Sequence, residues 1–162
     1  MVERLEQRER RRRVTGVEFS VEVDAPPERV WDVASDPANL PQWDRHILRV
    51  RLPEGGLAQG VRYEVDMGFM AVQTTVRAFV LEWEAPWRAS IHLDGLIEGV
   101  VTTSIASLPY DRSMLRHEVD YRFKGPLGRF GATSLNMLGG AQLALRHGVL
   151  AQKRQIEAAA YG

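Results

Sequence analysis

Twenty residues near the start, A-P-P-E-R-V-W-D-V-A-S-D-P-A-N-L-P-Q-W-D from Ala25 to Asp44, restrict the fold more than any other stretch of the chain. They follow Val17-Glu18-Phe19-Ser20-Val21-Glu22-Val23, whose odd positions are apolar and even ones polar, the alternation of a half-buried strand. Pro26 or Pro27 suits the first turn of a helix, where a missing N–H costs little. Val30, Trp31 and Ala34 give that helix an apolar stripe. Asp36-Pro37 ends it, because the residue before a proline is pushed out of the α region. A second short helix starts there and closes at Pro41-Gln42-Trp43. The unit is strand, helix, broken helix.

After Trp43 the chain alternates with period two between turn signals. Expected strands run over 47–52, 61–69, 72–83, 88–94, 99–108 and 113–123, with Pro53-Glu54-Gly55-Gly56, Gly95 and Pro109-Tyr110-Asp111 among the turns. With the first strand this makes seven, mostly in hairpin succession. The cleanest is 61–69, with Val61, Tyr63, Val65, Met67 and Phe69 on one face and Arg62, Glu64 and Asp66 on the other, so one face is covered and the other wet. Past Lys124-Gly125-Pro126 the period becomes about 3.6: Phe130, Ser134, Met137 or Leu138, Ala141, Leu145, Val149, Gln152 and Ile156 form one stripe of a long C-terminal helix. Gly139, Gly140 and Gly148 within it each cost up to ~1 kcal/mol against alanine, which asks for a bend or a close approach to the sheet.

This order of elements, and above all the D-P-x-x-x-P-x-W spacing at Asp36, Pro37, Pro41 and Trp43, resembles the helix-grip superfamily of START-like lipid-transfer domains and polyketide cyclases. The resemblance covers about 17–160. It implies an α+β fold in which a curved seven-stranded antiparallel sheet wraps around the C-terminal helix, two short helices follow the first strand, and an internal cavity holds a hydrophobic molecule. One domain over 14–162 is expected, preceded by a basic N-terminal tail over 1–13.

Composition narrows the function. At 162 residues with no cysteine, the chain can bury roughly 70% of its unfolded surface without disulfides, and thiol chemistry is excluded. Net charge is zero, so no global field draws nucleic acid. The exception is the tail, where six arginines against three glutamates leave +3; it has no aromatic to stack on a base and reads as a frayed or disordered extension. No apolar run reaches the ~18 residues of a membrane span and no signal peptide is evident, which makes a cytoplasmic protein the expectation. Arginine's dominance over Lys124 and Lys153 suggests a GC-rich bacterial gene, and with it secondary metabolism. The four histidines are dispersed, so no metal site is expected; phosphate-loop, dinucleotide and nucleophile-elbow motifs are missing, so no cofactor is expected either.

What remains is chemistry on the inner face of the sheet. In L-R-H-E-V-D-Y-R-F from Leu115 to Phe123, burying the four charged side chains would cost several kcal/mol each, so they are the wet set and His117 and Tyr121 point inward. Tyr63 points inward by the same argument. Each of the three is either a core residue with a satisfied polar tip or a working group: His117 a proton shuttle, Tyr63 and Tyr121 donors to a substrate carbonyl. In 73–79 the two parities do not decide which side Arg77 faces. The polyketide cyclase resemblance implies a cavity arginine preceded two residues earlier by a small hydroxyl residue, as Thr75-Arg77 are, though Gln73 stands where an aromatic is usual. Ser90, His92 and Asp94 fall on the wet side. The resemblance implies a cofactor-independent cyclase or aromatase acting on a polyketide-like substrate, with catalytic His117, Arg77, Tyr63 and Tyr121 and substrate contacts from Trp43, Met67, Phe69, Thr75, Phe130 and Met137. The alternative is a non-catalytic lipid or metabolite carrier. The expected partner is a hydrophobic small molecule, with a homodimer as one option for assembly.

Overall fold

The structure, a computed structural model, describes residues 15–69, 71–125 and 140–159. The N-terminal tail, Gly139 and the expected ligand contacts Phe130 and Met137 lie outside these residues, as does the side chain of Phe69. The elements in order are β1 (Thr15–Val23), α1 (Pro27–Ala34), a 3-10 turn (Pro37–Asn39), α2 (Leu40–Trp43), β2 (Ile47–Arg51), β3 (Arg62–Phe69), β4 (Val72–Glu84), β5 (Arg88–Asp94), β6 (Ile97–Leu108), β7 (Arg112–Phe123) and α3 (Gly140–Ala158). Pro27 does open α1, and Asp36 starts the 3-10 turn by accepting a hydrogen bond from the Ala38 N–H at 3.0 Å.

The seven strands form one antiparallel sheet in the order β1-β7-β6-β5-β4-β3-β2. Apart from the long connection that carries α1 and α2, every strand pairs with its sequence neighbour through a hairpin. The β6–β7 turn places Tyr110 and Asp111 at φ 64° and 52°, the left-handed region whose twist matches that of the flanking strands.

Charge decides which face is wet. Every Arg, Lys, Asp and Glu in the strands lies on the outer face, and most are paired: Arg51 with Glu64 and Asp66, Arg77 and Lys124 with Asp94, Arg122 with Glu98, Arg116 with Glu18 and Glu118. Such exposed pairs contribute little each. The inner face carries the stability in two groups, with Trp83 packed against both. In the first, α3 lies along β1 and meets α1 and α2, burying Val23, Val30, Leu115, Val149 and Ile156 completely, each worth ~1.5–3 kcal/mol, with Trp31 edge-on to Trp83 at 4.9 Å. The second consists of Tyr63, Val65, Ala78 and Val80 on β3 and β4. Between them Val101, Val119 and Gly99 keep part of their surface exposed.

The glycine expectations resolve differently from one another. Gly148 faces α2, not the sheet, and a methyl group there would meet the Trp43 carbonyl oxygen at 3.7 Å, an ordinary contact. Close approach to the sheet is therefore not its reason. Gly140 opens α3. A strand position that does require glycine is Gly99 on β6, where a methyl group would overlap the Asp120 carbonyl and sit 2.7 Å from the Tyr121 Cα.

Candidate ligand-binding site

His117, Tyr63 and Tyr121 all point inward, and each is at most 7% exposed. The sheet nevertheless separates them. His117 and Tyr121 are four residues apart on β7, which is ~13 Å along the strand. His117 sits on the row Phe19–His117–Thr103–Ala89, beneath the helices, whereas Tyr121 and Tyr63 belong to another row near the opposite end.

His117 is fully engaged. Its Nδ1 lies 3.0 Å from Thr103 Oγ1 and its Nε2 2.8 Å from Gln152 Oε1. An amide oxygen only accepts, so Nε2 carries the proton and the Thr103 hydroxyl donates to Nδ1. Burial holds the imidazole below its ordinary range, and the bond to Gln152 offsets this in part. The result is a neutral histidine that ties β6 and β7 to α3. Gln152 is visible in the sequence as the polar residue on the α3 stripe at Leu145, Val149 and Ile156; Thr103 carries no such signal.

Tyr121 differs. Its ring meets Phe123 edge-on at 5.7 Å, and its hydroxyl is buried with no hydrogen-bond partner. Burial pushes the phenol above its usual value, and pushes Tyr63 up to about 12, so both remain O–H donors at neutral pH.

The remaining expected residues divide. Met67 is on the inner face, half-buried beside the Tyr63 group. Arg77 requires a correction. Its partners across the sheet are Glu64 and Asp94, it is bonded to Asp94 at 2.6 Å, and its side chain is 71% exposed on the outer face. The parity that buries Val76 and Ala78 puts Arg77 outside, so it cannot polarise a group within the sheet. Thr75 goes with it, donating to Asp66 at 2.7 Å. An open hollow of about 520 Å³ surrounds Arg77, walled by the outward-facing Arg62, Glu64, Phe79, His92 and Asp94 and by Tyr63 and Ala78 of the same two strands. Trp43 is likewise committed elsewhere: it is buried, and its Nε1–H donates to Gln155 Oε1 at 2.9 Å, while the Gln155 amide donates to Asn39 at 3.2 Å. It clasps α2 to α3. Among the described residues no cluster of side chains suits a metal ion, and no helix is long and apolar enough to cross a membrane.

An antiparallel sheet curled over a C-terminal helix, with two short helices after the first strand and a polar group buried on its concave side, defines a helix-grip α+β domain. The chain belongs to the family described as polyketide cyclase / dehydrase and lipid transport, whose sequence model matches residues 14–149. Solved structures agree on the fold. The Zhui aromatase/cyclase from Streptomyces sp. R1128 is 17% identical, with 89% of this chain and 94% of that one covered at a TM-score of 0.70. A START superfamily protein from Mycobacterium smegmatis is 21% identical, covering 88% and 97% at 0.66. A protein from Thermus thermophilus is 17% identical, covering 90% and 99% at 0.69. No curated protein matches the sequence. Membership of this family supports a cyclase-type or ligand-binding role.

Proposed function

We propose that the protein binds a hydrophobic small molecule against the concave face of the sheet and that binding, more than acid–base turnover, is what its residues are arranged for. The observation that carries this is the Tyr121 hydroxyl, buried and unpartnered on a ring that packs edge-on against Phe123. Leaving such a group unsatisfied costs ~1–3 kcal/mol, and an acceptor on a bound molecule removes that cost. The partly exposed Val101 and Val119 nearby on β6 and β7 offer apolar contact to the body of a ligand.

The cyclase reading draws on the family description and on two phenols able to donate to a developing oxyanion. It lacks a free base: His117 would have to release Thr103 or Gln152 to move a proton. Titration with Nile red, a neutral dye that brightens in apolar surroundings, tests the binding reading. Saturable one-to-one binding is expected, and its absence at micromolar protein would reject the proposal. Turnover of a poly-β-keto substrate that is lost in His117→Ala, with ligand affinity kept, would instead favour catalysis.

A further inference from the structure

Tyr63 on β3 and Tyr121 on β7 lie on one row of the sheet, with Thr15 of β1 beyond Tyr121. Tyr63 is paired with Ala78, Ala78 with Leu93, Leu93 with Gly99 and Gly99 with Tyr121, so five strands contribute one residue each to a continuous line across the inner face. At ~4.8 Å between strands, the two Cα atoms are ~19 Å apart along the sheet, and its curl shortens the straight path between them. Beside each tyrosine lies a small residue, Ala78 or Gly99. The second cannot grow, because the backbone of Asp120 and Tyr121 fills the place of its Cβ. The row is thus low beside each tyrosine, with the apolar Leu93 between the two small residues.

Charge gives the second constraint. The acidic and basic residues of all seven strands lie on the outer face, where Arg51, Arg77, Arg116 and Arg122 are tied to carboxylates. Among the described residues, an anion bound on the inner face would meet no cation and a cation no carboxylate, and an unpaired charge in such surroundings is strongly disfavoured.

We propose that the ligand is an elongated, uncharged molecule bearing an acceptor oxygen at each end, spanned between the hydroxyls of Tyr63 and Tyr121. This rests on the ligand-binding reading above and adds to it a ligand class: neutral diones and their like, in place of fatty acids or phosphorylated compounds. Both tyrosines serve as donors, and the apolar row between them selects a flat or narrow apolar body.

Displacement of bound Nile red by three matched sets of compounds tests it: neutral diones of two, three and four fused rings with a carbonyl on each terminal ring, the parent hydrocarbons, and the corresponding monocarboxylates. At one ring length the dione should bind roughly 3- to 10-fold more tightly than its hydrocarbon for each carbonyl engaged. The carboxylate should bind no better than the hydrocarbon. Tyr121→Phe removes an unsatisfied hydroxyl and should fold at least as stably as the parent; it and Tyr63→Phe should each lower dione affinity by the same factor and leave the hydrocarbon unchanged. Equal affinity for dione and hydrocarbon at every length, a preferred carboxylate, or a dione preference that survives both substitutions would overturn the inference while binding itself stood. Failure of the dye to bind would remove the reading on which it rests, and the inference with it.

Discussion

Replacing Gln152 by methionine should destabilise the domain by about 1–3 kcal/mol, the cost of leaving a buried donor unsatisfied. Methionine keeps the length and unbranched shape of glutamine, so the packing of Val149 and Ile156 on the same stripe is retained. What disappears is the acceptor 2.8 Å from His117 Nε2, and in this buried position no water replaces it. For a domain of this size each kcal/mol moves the melting temperature by roughly 2–4 °C, so a fall of about 2–12 °C is expected. His117→Phe should cost a similar amount, because it strands Thr103 Oγ1 and the Gln152 amide. The double variant should cost less than the two single ones together by about 1–3 kcal/mol, the coupling expected of residues in one hydrogen-bond network. Urea unfolding with unchanged m measures all three.

Acidity supplies an independent arm. Burial holds His117 below the ordinary imidazole value of ~6.5, so between the folded and unfolded values the unfolded chain binds more protons. Stability from this group is therefore complete above ~6.5 and declines as the pH falls through that window. The decline between about pH 8 and 5.5 should be shallower in His117→Phe. Strictly additive variants, a Gln152→Met cost below about 0.5 kcal/mol, or a pH slope identical with and without the imidazole would refute the network.

Two glycines should respond oppositely to alanine. Gly99→Ala drives a methyl group into the Asp120 carbonyl and should cost about 3 kcal/mol or more in urea unfolding, whereas Gly148→Ala meets only ordinary contacts with Trp43 and should gain ~0.5–1 kcal/mol from helix propensity. Arg77→Gln, which breaks an exposed pair with Asp94, should change stability by less than about 1 kcal/mol and leave Nile red affinity unaltered; a clear loss of affinity would return Arg77 to the site.

Strand positions were legible because alternation is a local property: all seven strands emerge within two residues of where the pattern puts them at each end. Orientation was legible wherever one parity carries charge, as on β3 and β7. It was not legible on β4, where Gln73, Thr75 and Arg77 alternate with Thr74, Val76 and Ala78. There the decision came from register, since pairing with Tyr63 and Val65 on β3 buries Ala78 and Val76 and sends Arg77 outward. Trp43 was expected as a ligand contact, and its role as a clasp was not legible because its partner Gln155 is 112 residues away.

The opening segment from Ala25 to Asp44, the seven alternating strands and the charged outer face of β3 and β7 follow from the sequence alone, because proline geometry, period-two burial and the cost of burying charge act over a few residues. Tertiary structure alone decided the site. His117 looks identical in sequence whether it is a free base or a tethered one, and only the folding of β6 and α3 onto it brings up Thr103 and Gln152. The same holds for the row that carries Tyr63 and Tyr121: hydrogen-bond register across five strands puts them on one line, and register is a relation between distant segments that no local pattern encodes.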